Sequence, residues 1–203
     1  MICGRTQERI DKAVAEITTL KKGKISGRVC DVRDYAAVQN LVSDTISIFG
    51  KVDILVNNAG VGVVSNIQEI TIKEWNEIID VNLNGVFYCS KAVVPEMKKN
   101  GGGAIVNIAS RAGKNPFPGG SAYNASKFGV IGLSEAMVLD LRKEHIRVSY
   151  LMPGRVNARF ADEAPEAWHL DSEDVAQVVS DLLRFPSRVL VSRVEMRPSE
   201  PPY

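Results

Sequence analysis

Histidine and cysteine are scarce in this chain, numbering two and three among 203 residues. His145 and His169 lie far apart, and Cys3, Cys30 and Cys89 contain no C-x-x-C pair. That spacing excludes the ligand sets of zinc sites, and an odd, scattered trio excludes a disulfide frame. The cysteines read as reduced core residues of a cytoplasmic protein, and no metal is expected. No apolar run reaches the ~18 residues of a membrane span, and no basic-then-apolar leader is visible. Charge of one sign is missing too: 25 Lys and Arg face 24 Asp and Glu, a net charge of +1. Such a balance leaves no electrostatic footprint for nucleic acid or an anionic membrane. A Gly-x-Gly-x-x-Gly phosphate loop is also absent; "GVGVVS" at Gly60 comes closest and lacks the third glycine.

What the chain does have is alternation. Short apolar runs recur at Ile2 and Cys3, "KISGRVC", "DILVNNAG", "GAIVNIAS", "IRVSYLM" and "RVLVSRVEM". Helical spacing appears between them at Ile10, Val14 and Ile17, and again at Val38, Leu41, Val42, Thr45, Ile46 and Phe49. Thr6 reads as a helix cap, and Thr71 with Glu74 predicts a capping box for a helix carrying Trp75, Ile78 and Ile79. Further helices are expected from Leu83 to about Lys99, from about Ser121 to Glu144, and from Ser172 to about Arg184. Strands that are apolar throughout, separated by helices, imply a parallel sheet covered on both faces: a doubly wound α/β fold. One domain over residues 1–196 and a Pro-rich tail over 197–203 are expected. Ligands of such sheets sit at the carboxyl ends of the strands. Those ends read "CGRT", "CDV", "NNAG", "NIAS" and "MPGRV".

Tyr123 and Lys127 share one helix face in "SAYNASKFG". A free phenol has a pKa of about 10, too high for ready proton exchange at neutral pH. A neighbouring ammonium favours the phenolate, which would fit Tyr123 to exchange a proton with a carbonyl or alcohol oxygen. Tyr-x-x-x-Lys alone is a common pattern. Here it has company, for Ser110 ends a strand thirteen residues before Tyr123. "NNAG" and "DVNLNG" precede that strand, and "MPGRV" follows the next one.

With these motifs in order, the sequence resembles the short-chain dehydrogenase/reductase family, in particular the 3-oxoacyl carrier-protein reductases, from residue 1 to about 196. The resemblance implies a Rossmann-like sheet and hydride transfer between a nicotinamide cofactor and an alcohol or carbonyl substrate. By the same resemblance Tyr123 would be the general acid/base. Lys127 would lower its pKa and bind ribose hydroxyls, Ser110 would hydrogen-bond the substrate oxygen, and Asn82 would hold a water linking Lys127 to solvent. Asn57, Ala59 and Gly60 would line the adenosine and ribose side. Asp31 and Val32 would flank the adenine, although Asp31 equally suits a cap for the helix near Asp34. Pro153, Gly154 and Val156 would form the loop beside the nicotinamide, where Ala158 replaces the family's usual threonine.

Arg5 bears on the choice of cofactor. NAD-using members usually end the second family strand on an acidic residue, and here that place is Gly4, followed by Arg5 and Thr6. A guanidinium grips a 2′-phosphate with two parallel bonds, so NADP(H) is expected over NAD(H). The family's glycine-rich loop and the strand before it have no counterpart. The missing strand would be central, between the strands ending near Cys3 and Asn57. Two readings follow: an NADP(H)-dependent oxidoreductase, or a catalytically silent relative serving as a non-enzymatic interaction protein.

Phe117, Phe160 and Trp168 fall in loops on the expected substrate side, as pocket walls or as packing, and "RFADEAPEAWHL" is short for a lid. A keto thioester, a small sugar and a hydroxy acid all remain open as substrates. The resemblance also implies a homodimer or homotetramer built on the helices of Leu83 to Lys99 and Ser121 to Glu144. Phe87 and Val94, or Val130 and Met137, would supply apolar residues that the sheet does not obviously need.

Overall fold

The structure is a computed structural model that describes residues 1–158 and 166–200. Its centre is a parallel sheet of β3 (Ile54–Asn57), β4 (Gly103–Ile108), β5 (Ile146–Met152) and β8 (Arg193–Glu195), hydrogen-bonded in that order. In-register pairs run from Ile54 with Ala104 to Asn57 with Asn107, and from Gly103 with Ile146 to Ile108 with Leu151. A separate parallel pair joins β1 (Ile2–Gly4) to β2 (Gly27–Val29). The two-residue strands β6 (Val156–Asn157) and β7 (Leu170–Asp171) pair in the loop beyond β5.

Strand alternation sorts the core. Ile105, Ile146, Val148, Tyr150 and Met152 face the helices α4 (Gly85–Lys99) and α5 (Ser121–Leu141), where Val86, Val93, Met97, Val130 and Met137 meet them. Val106 and Leu151 point the other way, onto Leu182 of α6 (Ser172–Arg184). Cys30, Val38 and Cys89 join β2 to α2 (Tyr35–Phe49) and α4. The α1 helix (Gln7–Thr19) lies on the β1–β2 pair through Ile10.

The doubly wound α/β reading holds, with specific departures. Cover on both faces is complete only at β4 and β5, since Ile54 and Val56 of β3 and Val29 of β2 are exposed. Among the described residues β1 and β3 share no ladder, at the place where the expected central strand would lie. The predicted strand "RVLVSRVEM" is regular only from Arg193 to Glu195. Cys3 is exposed rather than part of the core, while Cys30 and Cys89 are buried as expected; burial raises their thiols to about 11 and about 12. Val130 and Met137, proposed as association surface, are core residues of their own chain, and Val94 packs against the same core.

Local signals explain most boundaries. Thr71 and Glu74 form the reciprocal capping box that opens α3 (Ile72–Ile79). Asp34, not Asp31, caps α2 by accepting from the amides of Ala36 and Ala37. Thr6 holds the N-cap position of α1 without a side-chain cap bond. The helix expected to begin at Leu83 has no such start. A single π-turn, Asp80–Asn84, joins α3 and α4 into one continuous helical run. Such widened turns are rare and concentrate at functional sites.

Candidate active site

Ser110 follows β4 and caps a short 3₁₀ turn, Arg111–Gly113, by accepting from the amide of Ala112 at 3.1 Å. Arg111 donates its amide to the carbonyl of Pro153 at 3.0 Å, which fastens this turn to the loop leaving β5. From the first turn of α5, Tyr123 brings its phenol into a side-chain hydrogen bond with Ser110. Phe117 lies beside it, ring centres 6.4 Å apart. One turn along α5, Lys127 is buried at 5% exposure. Its Nζ donates to the carbonyl of Ile108 at 2.9 Å and lies 5.7 Å from the centre of the Tyr123 ring. The structure therefore brings Ser110, Tyr123 and Lys127 together at the carboxyl end of β4.

The electrostatics differ from the sequence expectation. Burial pushes the Tyr123 phenol above its ordinary value, and the hydrogen bond with Ser110 pulls it partly back. The net direction is upward, against the expected lowering, because burial is the largest influence on the phenol. Burial lowers Lys127 itself to about 8, because its charge has left water.

Asn82 is fully buried in the π-turn. Its Oδ1 accepts from the amide of Val61 at 2.8 Å, and its Nδ2 donates to the Val61 carbonyl at 2.8 Å and to Ser126 Oγ at 3.0 Å. Ser126 in turn donates to the carbonyl of Tyr123 at 2.7 Å. The Asn82 side chain thus clamps the loop after β3 to α5, a task beside the water-holding role that the resemblance implies. Nothing in the spacing of "DVNLNG" distinguishes these tasks.

Asn57 ends β3 with its side-chain amide turned inward. Its Nδ2 donates to Asn107 Oδ1 at 2.8 Å and to Ser90 Oγ at 3.2 Å, inside the protein. Asn107 then donates to Ser134 Oγ at 2.9 Å. This buried network locks β3 and β4 to α4 and α5, and Asn107 was missed because it sits within an otherwise apolar strand. Ala59 and Gly60 do lie in the loop at the carboxyl end of β3, beside Val61. Val32 packs toward Gly85 of α4, where an added Cβ would come within 2.8 Å of its methyl. Pro153 is buried, Gly154 donates to the carbonyl of Met196 at 2.9 Å, and Val156 belongs to β6.

The adenosine end gathers charge. Asp31 accepts from Arg33 Nε at 3.0 Å and Nη2 at 2.6 Å, which holds its carboxyl below the ordinary range. Arg5 meets Glu77 of α3 with a separation of 3.5 Å. Arg33 and Glu77 lie outside every expected motif, since they come together only when β1, β2 and α3 assemble. Trp168 stacks edge-on against His169 at 4.2 Å between ring centres, and Arg155 lies over the indole at 5.9 Å. Phe160 and most of "RFADEAPEAWHL" lie outside the described residues. Among the described residues no three potential ligands converge on a metal position, and no helix is long and apolar enough to cross a membrane.

A profile of the short chain dehydrogenase family matches residues 1–168. The dehydrogenase/reductase SDR family member 4 of Oryctolagus cuniculus is 37% identical over 162 residues, covering 79% of this chain and 62% of that protein. An uncharacterized oxidoreductase of Staphylococcus saprophyticus is 33% identical over 202 residues, covering 98% of this chain and 86% of that protein. The first of these is thus matched over less than two thirds of its length. Among solved structures, an alcohol dehydrogenase from Thermococcus sibiricus complexed with 5-hydroxy-NADP superposes with a TM-score of 0.90 at 26% identity, over 100% of this chain and 87% of that one. Serine dehydrogenase from Escherichia coli does so with a TM-score of 0.84 at 31% identity, over 100% and 88%.

Proposed function

Because the chain belongs to the short-chain dehydrogenase family, we propose that it interconverts an alcohol and a carbonyl with NADP(H), using Tyr123 as general acid/base. The observation that carries this reading is the contact of the Tyr123 phenol with Ser110 beside the buried ammonium of Lys127. The residues present suit the cofactor at two points. Arg5 and Arg33 offer guanidinium groups at the carboxyl ends of β1 and β2. Lys127 spends one of its three donors on Ile108, which leaves others for ribose hydroxyls. Bound there, a nicotinamide would supply the hydride in one direction and accept it in the other.

The protein's own part is orientation and a proton. In reduction, the Tyr123 hydroxyl gives its proton to the carbonyl oxygen as that oxygen gains charge, and in oxidation the phenolate removes the alcohol's proton. Ser110 donates to the same oxygen and holds the carbonyl in place. The ammonium of Lys127 stabilises the phenolate once it forms. A raised Tyr123 suits the reductive direction, because the proton is present at neutral pH. NADP(H) over NAD(H) rests on Arg5 and Arg33 and on the NADP derivative bound by the Thermococcus relative. Assembly into dimers or tetramers through α4 and α5, where Phe87, Phe128 and Leu139 are exposed, belongs to the same reading.

Tyr123→Phe tests it. Turnover of a carbonyl with NADPH should fall by at least about a hundredfold while NADPH affinity is nearly unchanged. Undiminished turnover would overturn the mechanism. The second reading is a non-enzymatic interaction protein. Titration with NADPH separates the two, since a silent relative gives no saturable binding.

A further inference from the structure

Glu77 occupies a telling place. Its Oε1 lies 3.5 Å from Arg5 Nη1 and 3.9 Å from Arg33 Nη1, between guanidinium groups carried by two different strand–helix loops. Both separations exceed a hydrogen bond. The neighbouring pair behaves differently, since Asp31 grips Arg33 through two bonds of 3.0 and 2.6 Å. Asp31 is therefore a committed partner of Arg33, while Glu77 is an anion held loosely between two cations. All three side chains of this arrangement are more than a third exposed, so its Coulomb energy is small and screened.

We propose that Glu77 is a built-in competitor for a phosphate monoester at the Arg5–Arg33 pair, and that it sets the preference between nucleotides with and without a ribose 2′-phosphate. This rests on the reading of Arg5 as the cofactor's phosphate contact and adds the gate that the phosphate must displace. A phosphate monoester carries about −1.5 to −2 charges and three acceptor oxygens, so it satisfies two guanidiniums better than one carboxylate oxygen does. The displaced carboxylate has somewhere to go. An open cleft of about 450 Å³ is lined by Arg33, Ile72, Lys73, Asn76, Glu77 and Asp80. Lys73 lies one helical turn before Glu77 on α3, within reach of its carboxylate. Asp80, the remaining acid near Arg33, already accepts from Asn84 Nδ2 at 2.8 Å.

The cost of this arrangement falls on phosphate binding alone. A nucleotide without the 2′-phosphate leaves Arg5 with Glu77 and gains nothing from breaking the pair. Glu77 thereby weakens binding of the phosphorylated nucleotide by the strength of its own loose contacts.

Adenosine 2′-monophosphate and adenosine 5′-monophosphate are suitable probes, titrated calorimetrically into the full chain and its variants. Glu77→Gln should tighten the 2′-phosphate by roughly two- to fivefold, in proportion to an exposed ion pair, and leave the 5′-phosphate unchanged. In an Arg5→Gln background the same substitution should have less effect, because the competition is for Arg5. Weaker or unchanged 2′-phosphate binding by Glu77→Gln, or an equal gain for both nucleotides, overturns the proposal while leaving the Arg5 reading standing if Arg5→Gln weakens the 2′-phosphate. Absence of 2′-phosphate binding in every variant overturns both. Neither outcome depends on turnover, so the oxidoreductase reading is judged separately by Tyr123→Phe.

Discussion

Lys127 lies over the ring of Tyr123, its Nζ 5.7 Å from the ring centre, and it is the more deeply buried of the two. A cation so placed can stabilise a phenolate, but its own charge pays for the position. Burial lowers Lys127 to about 8. In the unfolded chain it would titrate near 10.5. Between those values the unfolded state binds more protons than the native state, so this residue's contribution to stability rises with pH. Lys127→Met removes the effect. Its stability relative to the native sequence should be most favourable below pH ~8 and decline on the order of 2–3 kcal/mol toward pH ~10.5. Urea midpoints of both proteins across that range measure the difference, in which the raised cysteines cancel. Parallel curves would mean that the ammonium is solvated.

Ser110→Ala makes a second prediction about the same pair. The Ser110 hydrogen bond is what pulls the phenol downward against burial. Without it, the Tyr123 phenol should ionise at still higher pH, seen as an upward displacement of the phenolate absorbance that Tyr123→Phe abolishes. A downward displacement would mean that Ser110 favours the neutral phenol.

The layers of the fold were readable because each carries a local signal. The apolar runs of β4 and β5 are buried on both faces, and the Thr71–Glu74 box marks a helix start through neighbouring residues alone. Ser110 and Tyr123 were readable as a pair through the family resemblance, which carries the spacing of strand, turn and helix between them. The internal hydrogen bonds of Asn57 and Asn82 were not. Their partners Asn107, Ser90, Val61 and Ser126 lie far away in sequence, and an amide side chain looks the same whether it faces a ligand or a neighbouring strand. Val130 and Met137 misled for a related reason. Helical spacing gives a face but not the element that covers it, and here β4 and β5 cover it. The phenol's raised pKa was missed because it depends on burial, which the Tyr-x-x-x-Lys pattern does not encode.

Gly113 sits where the Ser110 turn presses on α5. A Cβ there would come within 2.6 Å of the Lys127 carbonyl oxygen and 2.8 Å of its carbon, both backbone atoms. Neither can rotate away. Gly113→Ala should therefore push the turn off the helix and cost about 1–3 kcal/mol, read as a lower urea midpoint. Turnover should fall further than stability explains, because the shift separates Ser110 from Tyr123. Unchanged stability would mean that the turn moves freely on α5.

Asn82 offers a test whose sign depends on chemistry rather than size. Asn82→Ala leaves the amide and carbonyl of Val61 without their buried partner, a loss of about 1–3 kcal/mol. Asn82→Asp nearly conserves shape and can still accept from the Val61 amide. As a carboxylate it can no longer donate to the Val61 carbonyl or to Ser126, and it sets a negative charge against an oxygen in a site with 0% exposure. The aspartic acid form restores one donor. Its pKa in the native state should thus stand above the unfolded value of about 3.9, so the native state holds the extra proton and stability declines as pH rises. Asn82→Asp should approach the native sequence near pH 4.5 and fall away toward pH 7, whereas Asn82→Ala should keep a constant deficit. Thermal melts of the two variants across that range decide it. If both track the native sequence in parallel, the Asn82 side chain donates nothing that the fold needs, and the clamp between the β3 loop and α5 is held by the backbone alone.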